Sequence, residues 1–161
     1  MREDLRHFID VSMNGTEVKY CLLGNGISSL TEEMNPTEES KHYINMSSDS
    51  NTIKSYQRKF EVDKEDCEDD DVQKWLDSMV DRLPTGASAR TSFVRLRLKD
   101  AVPGQAGAYK AIKVPCTVSV SSSGGDGGDY VHNVVTVTQC GDDIHGIFDV
   151  STSAFTENGK D

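Results

Sequence analysis

Apolar positions in this chain mostly alternate with polar ones, and one stretch breaks that rhythm. In residues 70–84, DDVQKWLDSMVDRLP, the apolar side chains Val72, Trp75, Leu76, Met79, Val80 and Leu83 fall on one stripe of a 3.6-residue period. Gln73, Lys74, Asp77, Ser78, Asp81 and Arg82 fill the other side. Asp70 is a good N-cap and Gln73, three places on, could complete a capping box, while Pro84 and Gly86 stop the helix. A helix this short is marginal alone in water, so it must dock. Burying six large apolar side chains would supply at most about 9–18 kcal/mol. Everything around it reads as strand, so the dock is a sheet and Trp75 is the anchor.

The period-two segments follow in order. Residues 17–24 place Val18, Tyr20 and Leu22 on one face. Residues 27–55 are largely polar, with Asn35-Pro36 near the centre and room for a short strand at 42–46; a segment this poor in apolar residues cannot build its own core. We read it as a projecting loop. Strand character resumes at 53–63, with Tyr56, Arg58, Phe60 and Val62 on one face. Residues 91–99 are the clearest strand: Val94, Leu96 and Leu98 point one way, Arg95, Arg97 and Lys99 the other, as in a half-buried antiparallel strand. Residues 109–121 turn Ile112, Val114, Cys116, Val118 and Val120 inward, and Pro115 marks an edge or a bulge. A glycine-rich tip at 121–129 leads to a partner strand at 130–139 and one more strand within 142–150. The tail, 151–161, reads as frayed. The prediction is a mainly β fold, an antiparallel β-sandwich or barrel with one flanking α-helix, in a single domain spanning 1–161.

Charge narrows the function. The chain has 161 residues and a net charge of −10, which argues against general nucleic-acid affinity and against an anionic membrane surface. No apolar run approaches a membrane span, and the charged start MREDLRHFIDV has no apolar signal region. Cys21, Cys67, Cys116 and Cys140 are scattered without a CxxC pair, as expected of reduced thiols in a cytoplasmic product. The acidic run 61–71 lacks the glycine and terminal glutamate of a calcium loop and reads as a solvated lead-in to the helix. The tip SSSGGDGGD joins two strands and lacks GK[ST], so it is no phosphate cradle. His7, His42, His132 and His145 sit in no catalytic motif. We therefore expect no catalytic, metal or cofactor-binding residues, and no enzyme. The basic face of Arg95, Arg97 and Lys99 is either a solvated outer face or is met by acidic residues, in the 61–71 run or the glutamate-rich loop of another copy.

The segments LTEEMNPTEESKHYINM, SYQRKFEV, DVQKWLDSMVDRLPTG and TSFVRLRL together resemble the tail-tube (major tail) proteins of bacteriophages and phage-like particles. Glu33, Asn35 and Pro36, then Tyr43 and Ile44, Tyr56 and Phe60, and Pro84 and Gly86 carry the likeness, which covers about residues 27–98. The basic strand 95–99 does not map onto the family pattern. The resemblance implies a structural protein that forms hexameric rings, stacked into a hollow tube through which DNA passes. It implies partners too: other copies of the chain, tape measure, tail terminator and baseplate proteins, and a sheath if the tail contracts. Its place would be the virion tail, after synthesis in the host bacterial cytoplasm. On this reading residues 27–55 are the inter-ring contact. Glu32, Glu33, Asn35, Glu38 and Glu39 steer copies together, Tyr43 and Ile44 supply apolar anchors, and Arg95 and Arg97 add charge to the contact. The alternative is a monomeric calcium- or carbohydrate-binding β-sandwich, supported by the acidic run and the Gly-Asp tip.

Overall fold

The computed structural model describes residues 1–67 and 69–158; Glu68 of the acidic run and residues 159–161 of the tail lie outside the described residues. The strands are β1 Leu5–Asp10, β2 Tyr20–Leu22, β3 Thr37–Lys41, β4 Ser50–Ser55, β5 Lys59–Glu65, β6 Arg90–Ala101, β7 Ala108–Gly124, β8 His132–Gln139, β9 Ile144–Asp149 and β10 Ala154–Glu157, with the helix α1 Asp71–Arg82 between β5 and β6. The fold is mainly β with one α-helix, as predicted.

Eight strands make one antiparallel sheet in the order β10-β9-β7-β6-β1-β2, with β8 and β5 branching from β7. The fork lies at Pro115. Residues 108–113 of β7 pair with β9, and residues 116–124 pair with β8. Proline has no N–H to give to a ladder, so it falls where one neighbour hands over to the other.

The main core lies between α1 and the sheet. Val72, Trp75, Leu76 and Met79 pack with Ile9, Phe60, Val62, Phe93, Val114, Cys116, Val118, Val135 and Val137. The Trp75 indole N–H donates to Met13 Sδ at 3.2 Å. A second core covers the opposite face. Phe8, Tyr20, Val94, Leu96, Ala111 and Phe148 gather there, with the Phe8 and Phe148 rings 4.6 Å apart. Burial pushes the Tyr20 hydroxyl up to about 12, although its 2.9 Å hydrogen bond with Ser92 Oγ opposes the shift.

This two-sided burial corrects several expectations. Residues 91–94 of β6 are buried on both faces, so this is a central strand and not a half-exposed one. Its neighbour β1, which the charged N-terminal sequence concealed, is buried from His7 to Asp10. The strand expected at 17–24 shrinks to β2. Residues 27–55 are not a structureless loop: β3 and β4 form their own two-stranded sheet, an arm whose turn is the 42–46 segment expected as a strand. The tail contributes β10, paired with β9.

Two helix positions also depart from the stripe. Leu83 is 61 % exposed and takes a left-handed backbone, φ 47°, that ends the helix through its N–H to Met79 O. The residue before a proline is disfavoured in the helical region, so Leu83 leaves the helix before Pro84 does. Val80 is partly buried. Asp70 does cap the helix, accepting from the Gln73 amide at 2.8 Å, but the Gln73 side chain does not reach back. It is buried, its oxygen accepting from Lys64 Nζ at 3.2 Å and its amide donating to Asp77 at 2.9 Å. Lys64 itself, in the middle of the acidic run, is 0 % exposed and lies 3.7 Å from Asp70. The run is therefore tied by one inward cation to the start of α1.

Candidate assembly surface

The arm joins the body through a short, fully bonded root. Glu33 and Lys59 exchange backbone hydrogen bonds at 2.7 and 2.8 Å, and the Gln57 amide donates to Met34 O at 2.8 Å. Asn35 holds a left-handed backbone, φ 46°, and its side chain donates to Gln57 O at 3.3 Å. Asparagine tolerates that region, which explains its place before Pro36 at the turn into β3.

Beneath the root lies a buried ionic cluster. The Glu32 side chain is 3 % exposed and meets three groups: His7 Nε2 at 3.1 Å, Arg58 Nη1 at 2.9 Å and Arg95 Nε at 2.7 Å. The Arg95 approach is off the N–H direction, so that contact is an ion pair and not a hydrogen bond. Arg58 also forks onto Asp143, with Nε at 3.1 Å and Nη2 at 2.9 Å from Oδ2. Gln139 completes the assembly, its side chain accepting from the Arg58 amide and donating to Asp143.

Burial alone would raise the Glu32 carboxyl, but His7, Arg95 and Arg58 outweigh it and hold it at about 2. Burial lowers His7 below its ordinary value, against the pull of Glu32. His7 is then neutral, with its proton on Nε2 facing the carboxylate. Its Nδ1 is left without a partner, in a ring flanked by Phe60 and Phe93 at centroid distances of 5.4 and 6.3 Å.

Glu32 and Arg95, both expected at the contact between copies, face inward and pair with each other within one chain. Adjacent residues on an extended segment point to opposite sides, and Glu33 is the exposed member of the pair. Asn35 and Glu38 are exposed as well. Glu39 is half-buried and already engaged, 2.6 Å from Lys54 and 3.6 Å from Lys41. His42 and Asp49 meet at 2.8 Å across the turn. The arm thus closes most of its charges upon itself. What it leaves open is apolar: Tyr43, Ile53 and, at 107 % exposure, Ile44. Met34 and Tyr56 are exposed at its base. Arg97 is exposed on the body, two residues beyond Arg95 on β6. Sequence reasoning singled out Glu32 and Arg95 but missed His7, Arg58 and Asp143 as their partners. The only available signal was an arginine placed among inward-facing residues of a strand.

Among the described residues no group of three or more His, Cys, Asp or Glu is placed to hold a metal ion. No helix among them is long and apolar enough to cross a membrane.

No protein family profile matches the chain. No curated protein matches it in sequence. Its fold does match solved structures. A chain in the tail of an empty gene transfer agent (GTA) particle, determined with C6 symmetry, aligns at TM-score 0.59 and 9 % identity over 96 % of both chains. A chain in the virion of a native GTA particle aligns at TM-score 0.56 and 8 % identity, again over 96 % of both. A chain in the baseplate of the anti-feeding prophage aligns at 0.47 and 8 % identity over 91 % of each.

Proposed function

We propose that this chain is a non-enzymatic structural subunit of a phage-type tail, and that copies of it form hexameric rings stacked into a hollow tube. The observation that carries this reading is the arm. Ile44 is wholly exposed in the turn of a hairpin whose two legs are hydrogen-bonded to each other at the root, down to the first residue of β5. A large apolar side chain held out this way lacks a partner within its own chain. The resemblance of residues 27–98 to tail-tube proteins and the shared fold with a GTA tail chain support the same conclusion.

The remaining parts of the proposal follow from it. The main sheet ends at β2, at β10 and at the branch strand β5; these edges are able to pair with neighbouring copies, and closing a ring covers such edges. In the ring, −10 per copy disfavours adhesion of a polyanion, so DNA would pass without sticking. The tape measure, terminator and baseplate proteins would meet the ends of the tube, and a sheath its outside if the tail contracts. The site of action would be the virion tail.

Electron microscopy of the purified chain at high concentration tests the reading. Tubes or six-fold rings are the expected result. A chain that stays monomeric at all concentrations, by microscopy and by sedimentation, would overturn it.

A further inference from the structure

The two ends of β7 carry opposite charge. At the first end, Arg95, Ile112 and His145 lie in register across β6, β7 and β9, and Lys110 pairs with Ile147 two residues further out. This face opens into a groove of about 290 Å³. Arg97, Lys110 and His145 are its exposed rim, and Val102, Ile112 and Ile147 its half-buried apolar lining. Asp100, 3.9 Å from Arg97, is the acid in the lining.

At the second end, the turn between β7 and β8 carries Asp126 and Asp129, followed by the exposed apolar side chains Tyr130 and Val131. The acidic run runs alongside, its Asp66 amide donating to Val131 O at 2.8 Å. Asp63 and Glu65 lie 2.7 and 3.8 Å from the His132 ring. One end thus pairs cations with an apolar hollow, and the other pairs anions with an exposed aromatic. A 17-residue strand separates them by roughly 50 Å, so they cannot meet within one chain.

We propose that the Asp126–Tyr130 tip of one copy docks into the Arg97–Lys110–His145 groove of the next. Asp126 and Asp129 meet the rim, and Tyr130 covers the lining. This rests on the reading that copies of the chain stack. The contact joins different surfaces of two identical chains, so it repeats head to tail, and an open stack is one of the two assemblies such a contact builds, a closed ring the other. Glu32, beneath the arm root, forms an ion pair with Arg95 at the groove wall, so the arm borders the same contact. Being partly ionic, the contact weakens in high salt.

The experiment compares wild type, Asp126→Lys/Asp129→Lys, Arg97→Glu/Lys110→Glu, and the fourfold variant carrying all changes, by sedimentation and electron microscopy at low and high salt. Each double variant is expected to lower the assembled fraction about tenfold. The fourfold variant, whose reversed tip meets a reversed groove, is expected to restore it. Double variants that assemble like wild type would overturn the proposal while leaving tube formation intact. Wild type that never assembles would sink the proposed function itself. Should the fourfold variant misfold by circular dichroism, mixing Asp126→Cys chains with Lys110→Cys chains under mild oxidation decides, both in a Cys67→Ser/Cys140→Ser background that removes the two exposed native thiols. A disulfide-linked dimer that forms only in the mixture supports the contact, and its absence overturns it.

Discussion

Glu32 is a carboxylate that folding turns into a structural anion. Its shift from an ordinary value of 4.5 to about 2 corresponds to about 3 kcal/mol of folding stability. That contribution is complete above pH 4.5 and lost as pH falls toward the folded value. Glu32→Gln leaves Arg58 and Arg95 short of their shared anion, so it should cost about 3–5 kcal/mol in urea unfolding at neutral pH, with a smaller loss relative to wild type at pH 3. His7 acts in the same direction. Its folded value lies below 6.5, so the unfolded chain binds the proton more readily, and stability falls as pH drops below 6.5. His132, raised by Asp63, works the other way: its contribution is lost as pH rises through its folded value. His7→Gln keeps a donor toward Glu32 without the titration, so its urea midpoint should change less than that of wild type between pH 7.5 and 5.5. Little of this cluster was legible in advance. Glu32 and Glu33 are indistinguishable as letters, and the choice between them is made by Arg58, 26 residues away, and by groups still more distant.

At the scale of elements, α1 is the part that periodicity reveals best, because its stripe faces one continuous apolar surface. It fails at Leu83, where the following proline dictates the backbone, and at Gln73, which a buried lysine draws inward. Met79→Ala should therefore cost about 2–4 kcal/mol in thermal or urea unfolding, while Leu83→Ala should change stability by less than about 0.5 kcal/mol. β1 was hidden for a different reason. Its polar residues are buried by partners that local pattern cannot supply: His7 meets Glu32, and the Asp10 carboxylate accepts the amides of Ser12 and Lys19. β10 was hidden because its pairing depends on an absent side chain. A Cβ on Gly146 would overlap the Thr156 carbonyl and come within 2.6 Å of the Phe155 ring. Gly146→Ala should consequently detach β10 from β9 with the rest of the sheet intact, read as faster amide hydrogen exchange confined to residues 154–158.

For the whole molecule, the alternating pattern conveyed the class of fold, while the direction in which charge is laid out required the sheet register. Because the arm pairs most of its charges internally, its affinity for another copy should depend on Ile44 more than on the glutamates. Ile44→Asp should abolish tubes in the electron microscope while leaving the monomer melting temperature within about 2 °C of wild type, since the side chain touches no core. The Glu32 cluster adds a constraint of timing. It draws on His7, Glu32, Arg58, Arg95 and Asp143, so it is complete only after the ribosome has released the last of these. A chain that stops short of Asp143 keeps the backbone bonds of the root but loses the carboxylate onto which Arg58 forks, so Glu32 and the hairpin above it are held less firmly.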